Sequence, residues 1–192
     1  MNKKRIALIV LVAGLAIYAG TLHMKLNSYH QFVEDEEFTP ASIMLEEEFI
    51  LYNLNPIIEE SIEKEKLSRK NLSNLLYTFR NVRGHIISLA DMAERLEGEE
   101  VNRNHLFEQL SEIIYTMERM KNENNGSVEL NEEQINFLED VMNLNDEMYS
   151  VFKEYESVSN EERKNFDRDY WIDYIKGIVR ETRGIVVRKV FD

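Results

Sequence analysis

The chain contains no cysteine, and its 192 residues include only two prolines and seven glycines. Without cysteine it can form no disulfide, carry out no thiolate catalysis and build no zinc site with cysteine ligands. Few prolines and glycines leave few breaks for a β-rich chain with many tight turns. Leu, Glu, Asn, Lys, Ile and Met dominate instead. The composition therefore predicts an all-α protein.

Positive charge is also scarce, because 23 Lys and Arg stand against 36 Asp and Glu, for a net charge of −13. Three of the bases, Lys3, Lys4 and Arg5, lie at the N-terminus, so the remainder is still more acidic. An acidic body argues against nucleic acid as a partner, since phosphates are bound by Lys and Arg on a common face. It also argues against peripheral attachment to anionic lipid, which uses polybasic segments.

An uncharged stretch runs from Ile6 to Met24, directly after the three cations. As a helix it would be about 28 Å long, close to the thickness of the bilayer's hydrocarbon core. An acidic run follows at residues 34–37, so the positive-inside rule predicts a cytoplasmic N-terminus and an extracytoplasmic body. The side chains expected to form this membrane anchor are Ile6, Leu8, Val10, Leu11, Leu15, Ile17, Tyr18 and Leu22.

A cleaved secretory signal is the alternative interpretation of the same stretch, because small residues occur around Ala19-Gly20. Cleavage after Ala19 would place Ile17 where such sites prefer a small residue, and the uncharged stretch continues past Gly20. We therefore expect a retained signal-anchor and a single-pass protein of the cell membrane. Secretion after signal cleavage remains the alternative.

Three segments are expected along the chain: the cytoplasmic tip and anchor at 1–24, a polar stalk at 25–38 and a helical domain at 39–192. Thr39-Pro40 is a helix-start signal that opens this domain. Beyond it, apolar residues recur at helical spacing in about four segments of roughly 22 to 30 residues with short connections. This pattern predicts an antiparallel up-and-down bundle of about four long helices, with a short helix leading into it.

The clearest of these helices is predicted from Leu72 to Leu96. Its apolar residues, Leu76 and Phe79 among them, fall at spacings of three and four and define one buried face. Gly98 is a good C-terminal stop for this helix. We therefore predict that Leu76 and Phe79 are buried in the core.

Helix boundaries are indicated at several other places. Asn55-Pro56 predicts a kink or a restart of the short leading helix. Asn131 with Gln134 resembles a capping box at the start of a later helix. The apolar stripe of the last predicted helix continues as far as Ile185 and Val186.

No constellation of residues indicates catalysis or metal binding. His105 stands one turn before Glu108, the reverse of the Glu-x-x-His order found in di-iron bundles, and the pair occurs once. There is no Gly-x-Ser-x-Gly elbow and no glycine-rich phosphate loop. We therefore predict no catalytic residue, no metal site and no cofactor, and a protein that is not an enzyme.

Tyr170 and Trp171 are adjacent aromatic residues on the last predicted helix, where they form either core or a possible partner contact. The expected function is a non-enzymatic protein–protein interaction, made by a membrane-anchored regulatory or structural component of the envelope. The expected partners are the membrane and another membrane or envelope protein, with no nucleic acid. An Asn-, Lys-, Ile- and Glu-rich composition suggests a bacterial envelope. The alternative function is a small-ligand sensor or carrier with a cavity between helices.

Overall fold

The protein forms two compact units, Met1–Thr39 and Pro40–Asp192. The computed structural model describes residues 11–24, 40–124, 126–156 and 170–191, and only the backbone at residues 40–50, 96 and 156. The predicted stalk at 25–38 and the predicted anchor residues Ile6, Leu8 and Val10 lie outside the described residues.

The first unit contains a helix, α1, at residues 11–24. Its apolar side chains are exposed, with fractional exposures from 49% to 71% at Leu11, Leu15, Ile17, Tyr18 and Leu22. The Thr21 hydroxyl donates a hydrogen bond of 2.7 Å to the carbonyl oxygen of Ile17 within the same helix. None of the helices described here has both the length and the apolar character needed to cross a membrane. The transmembrane anchor therefore stays a prediction from the sequence.

The described residues of the second unit are mostly helical, which confirms the prediction of an all-α protein. Its helices are α2 (Pro40–Glu63), α3 (Arg69–Met92), α4 (Asn104–Glu123), α5 (Glu132–Glu156) and α6 (Tyr170–Glu181). A π-helical turn, Ala93–Glu97, extends α3, and a 3₁₀ turn, Thr182–Gly184, extends α6. Two short strands, β1 (Lys66–Leu67) and β2 (Val128–Glu129), lie in the connections.

The helices pack in antiparallel pairs. Along α2 and α5, Tyr52 contacts Tyr149 while Asn55 bonds to Asp146, so the two helices run in opposite directions. Helix α3 packs on α2, α4 and α6, and α5 packs on α2 and α6. Strands β1 and β2 pair antiparallel, which joins the α2–α3 connection to the α4–α5 connection at one end of the bundle.

The core follows the stripes read from the sequence. Phe79 is 0% exposed and Leu76 is 4% exposed, which confirms that both are buried. Gly98 adopts a φ of 70°, and its N–H bonds to the carbonyl of Glu94, so it ends the extended α3 as expected. The Asn131 capping box also forms, since the Gln134 N–H donates to Asn131 Oδ1 at 2.9 Å and the Asn131 N–H donates to Gln134 Oε1 at 3.1 Å.

The predicted interruption at Asn55-Pro56 is not observed as a break, because α2 continues through it to Glu63. Proline removes one backbone donor from a helix, here the one that would bond to the carbonyl of Tyr52. Next to this site α2 is tied to α5, because the Asn145 side-chain amide donates to the carbonyl of Leu51 at 3.0 Å and to Asn55 Oδ1 at 2.9 Å. Helix α2 is therefore a full-length member of the bundle rather than a short leading helix.

Two helical glycines, one closely packed and one with open space beside it, test how tightly the helices pack. A Cβ added at Gly177 of α6 would lie 3.0 Å from Val151 Cγ1 of α5, whereas one at Gly84 of α3 would meet nothing within 4 Å. We expect Gly177→Val to destabilise the helical domain by about 1–3 kcal/mol through overpacking. Gly84→Ala should stabilise it by about 0.5–1 kcal/mol, because alanine loses less backbone entropy in a helix.

Urea unfolding followed by circular dichroism measures both changes. A Gly177→Val variant as stable as the parent would show that α5 and α6 do not approach as closely as described.

Candidate functional site

The last predicted helix ends earlier than the sequence indicates, at Glu181. In the 3₁₀ turn that follows, the Thr182 hydroxyl donates to the carbonyl of Ile178 at 2.7 Å, and the Ile185 N–H donates to the Thr182 carbonyl at 3.1 Å. Ile185 then has extended dihedral angles. The prediction that Ile185 and Val186 lie on a helix is therefore wrong.

Residues 185–191, which we call the strap, follow the surface of α4. A ring nitrogen of His105 lies 3.0 Å from the carbonyl oxygen of Ile185, and the Arg119 guanidinium lies 4.2 Å from the centre of the Phe191 ring. The helical rise from His105 to Arg119 is about 21 Å, and an extended chain from Ile185 to Phe191 spans about 20 Å. The strap thus runs along α4 in an extended form.

Helix α5 forms the other wall of the groove that holds the strap. Asp140 accepts hydrogen bonds from the Arg188 main-chain N–H at 3.0 Å and from its guanidinium at 3.2 Å, with a second guanidinium contact at 3.0 Å. On the α4 side, Gln109 Oε1 accepts from the Val187 N–H at 2.6 Å. Val187 is only 4% exposed, so its side chain is buried where the strap meets the helices.

An open pocket of about 610 Å³ lies between α4 and the strap. Its lining runs from Phe107 to Tyr115 on α4 and from Val186 to Lys189 on the strap. Phe107 is 39% exposed, Tyr115 is 42% exposed and Val186 is 67% exposed. Three large apolar side chains therefore face solvent around one pocket.

Arginines position the two aromatic rings of the pocket. The guanidinium of Arg83 lies 5.6 Å from the centre of the Phe107 ring, and that of Arg119 lies 6.0 Å from the Tyr115 ring. The Arg119 guanidinium donates hydrogen bonds to the Tyr115 hydroxyl and to Glu123. These bonds, of which the one to Tyr115 has the larger effect, raise the pKa of Arg119 above its ordinary value, so the side chain stays charged. Such cation–π contacts hold the rings without covering them with apolar side chains.

The aromatic residues singled out in the sequence lie elsewhere, where α6 meets α5. Trp171 is 7% exposed, and Tyr170 is half-buried with its hydroxyl donating to the carbonyl of Tyr155 at 3.0 Å. The Tyr155 and Tyr170 ring centres are 5.7 Å apart. A partner contact at these two residues stays a prediction, but a buried indole offers little surface for one.

The side chains of His105 and Glu108 have different surroundings and do not form a site together. His105 contacts the strap through its ring nitrogen, whereas Glu108 lines the pocket. In the parts of the chain that the structure describes, no three His, Asp or Glu side chains are grouped so that they could hold a metal ion.

Sequence reasoning missed the pocket residues Phe107 and Tyr115 because they lie off the buried stripe of α4. They are two helical turns apart, so they share one side of the helix with Ser111 between them. The sequence feature that could have identified them is the occurrence of two aromatic residues at that spacing on the polar side of an amphipathic helix. Asp140 gave no signal, because its role depends on contact with residues distant in sequence.

Comparison with protein-family models, with curated proteins and with solved structures found no match to this chain.

Proposed function

We propose that this protein is a single-pass, membrane-anchored bundle that works outside the cytoplasm by binding another membrane or envelope protein, without catalysing a reaction. The docking surface is the open pocket between α4 and the strap. The observation that carries the proposal is the exposure of Phe107, Tyr115 and Val186 around that pocket. Exposed aromatic side chains in a concave surface are the usual anchors of protein interfaces.

Support for the anchor comes from the sequence and from the surface of α1. The uncharged stretch Ile6–Met24 has span length and follows three cations. In the described part of this stretch, Leu11, Leu15 and Ile17 are more than half exposed. Apolar side chains turned outward over successive turns suit a lipid environment better than water.

Support for a protein partner comes from the chemistry of the pocket. Its lining combines the exposed apolar side chains Phe107, Tyr115 and Val186 with the charged residues Glu108, Glu112 and Lys189. Aromatic residues together with polar and charged ones are the usual composition of a protein–protein interface.

A small-ligand sensor or carrier is the second candidate, and the volume of the pocket favours it. About 610 Å³ falls within the range of small-molecule sites. The pocket lies on the outer side of α4 rather than between helices, and it is open to solvent, so a small ligand would stay partly wet. The protein partner is for this reason the first proposal.

Crosslinking in intact cells tests the proposal in one experiment. Cells that express the full-length protein are crosslinked, and their membranes are then washed with high salt and carbonate. We expect the protein in the washed membranes, covalently joined to a different membrane or envelope protein.

Recovery in the soluble fraction with a mature N-terminus at Gly20 would contradict the anchor. An uncrosslinked protein that releases a small molecule on denaturation would favour the sensor instead.

A further inference from the structure

The strap contacts the helices in the way that a bound peptide contacts a groove. Side chains of the groove hold its main chain, since Gln109 accepts from the Val187 N–H and Asp140 accepts from the Arg188 N–H. Main-chain contacts of this kind give affinity for any extended segment, and side-chain pockets supply the specificity. The groove is therefore suited to a strand of extended chain rather than to a packed helix.

Two consecutive strap residues supply that specificity. Val187 is buried, and the Arg188 guanidinium contacts both carboxylate oxygens of Asp140. The Arg188 side chain is 57% exposed outside this contact, and Val186 and Lys189 on either side are exposed as well. The groove is thus specific for an apolar residue followed directly by arginine, whereas the residues before and after this pair can vary.

The charge of the groove restricts what can replace the strap. The Asp140 side chain is only 11% exposed, and its ion-pair partner in the described structure is Arg188. A carboxylate that is buried without a cation is costly, so an occupant has to bring its own positive charge. The two-oxygen contact favours arginine over lysine, because guanidinium can engage both oxygens at once.

The strap lies outside the helices of the bundle. Helix α6 ends at Glu181, and residues 185–191 contain no helix or strand. The helix pairs α3–α4, α2–α5 and α5–α6 pack through contacts that do not include the strap. A displaced strap would leave these three helix pairs in contact and would uncover the buried site of Val187 beside α4.

We propose that the groove between α4 and α5 is a peptide-binding site that the strap occupies in the free protein. Its external ligand is an extended segment of the partner protein, in which an apolar residue is followed by arginine. The proposal rests on the proposed function, because it names the part of the partner that is recognised. The strap is then an internal competitor that binding of the partner displaces. The partner segment takes the place of the strap wall of the pocket, while Phe107 and Tyr115 of α4 remain as anchors.

The probe for this site is a fluorescent peptide with the sequence of residues 184–191. It is titrated into the full-length protein in detergent and into the variant Val187→Asp/Arg188→Ala, whose strap lacks both specific contacts. We expect the variant to bind the peptide at least about tenfold more tightly than the parent, in which the strap occupies the groove. Adding Asp140→Asn to the variant should weaken binding at least about tenfold, through loss of the charge-assisted contact.

A peptide in which Arg188→Ala is introduced should lose affinity to the same extent. Peptide affinity that does not change on Asp140→Asn would overturn the proposal. So would a strap variant that has the circular dichroism of the parent and binds no peptide. So would a strap-exchanged dimer of the parent in sedimentation, since a second copy would then be the occupant.

Hydrogen exchange on the unmodified protein gives an independent readout. The amides of Val187 and Arg188 should exchange faster than those of the core of α3, because the strap opens without global unfolding. Equal protection in the two segments would contradict a displaceable strap. These results are separable from the proposed function, because a partner can still crosslink at the pocket if the peptide fails to bind.

Discussion

Replacing Phe79 by alanine is expected to lower the free energy of unfolding of the helical domain by about 3–5 kcal/mol. The ring is 0% exposed on α3, the helix that packs on α2, α4 and α6. Its removal loses transfer free energy and leaves a cavity that three neighbouring helices cannot all move to fill. Urea unfolding of residues 39–192, followed by circular dichroism, measures the change.

The matched control is Tyr77→Ala on the same helix. Tyr77 is 66% exposed, so its loss should change stability by no more than about 0.5 kcal/mol. If the two variants unfold at the same urea concentration, α3 is not the central helix of the bundle.

The parts of the fold that could be predicted are those set by local periodicity. The stripe that contains Leu76 and Phe79 identifies a buried helical face, because spacings of three and four place side chains on one side of a helix. Gly98 and the Asn131–Gln134 pair could also be predicted, since each needs only its own neighbours in sequence.

The strap could not be predicted, because its conformation depends on distant residues. Ile185 and Val186 continue the spacing of the preceding helix, and a short apolar segment fits a helix or an extended chain equally well. The choice is made by Gln109 and Asp140, which hold the main chain of the strap from two other helices. The spacing of apolar residues within the strap therefore does not distinguish a helix from an extended chain.

The second large effect is expected at the pocket. The double substitution Phe107→Ala/Tyr115→Ala should weaken binding of the protein partner by about 2 kcal/mol or more, which is roughly a 30-fold loss of affinity. Both rings are partly exposed and held by arginines, so they are already placed for contact. Folding should survive, because neither ring belongs to the buried core.

Two controls accompany this variant. Tyr77→Ala removes an exposed tyrosine that is not part of the pocket lining, and it should leave partner binding unchanged. His105→Ala tests the alternative of catalysis, because it removes the histidine that stands one turn before Glu108 of the pocket lining. A folded His105→Ala variant that loses function entirely, beside an aromatic double variant that keeps it, would favour chemistry over binding.

The most direct measurement of the central claim places a photocrosslinking amino acid at Glu108, which lines the pocket on α4. In cells that express the full-length protein, docking through this pocket predicts an adduct with one distinct membrane or envelope protein. The adduct should fall roughly 30-fold in the Phe107→Ala/Tyr115→Ala background, at partner levels that do not saturate the site, and should persist with Tyr77→Ala. An adduct of equal yield in all three backgrounds, or none in any of them, would contradict the account.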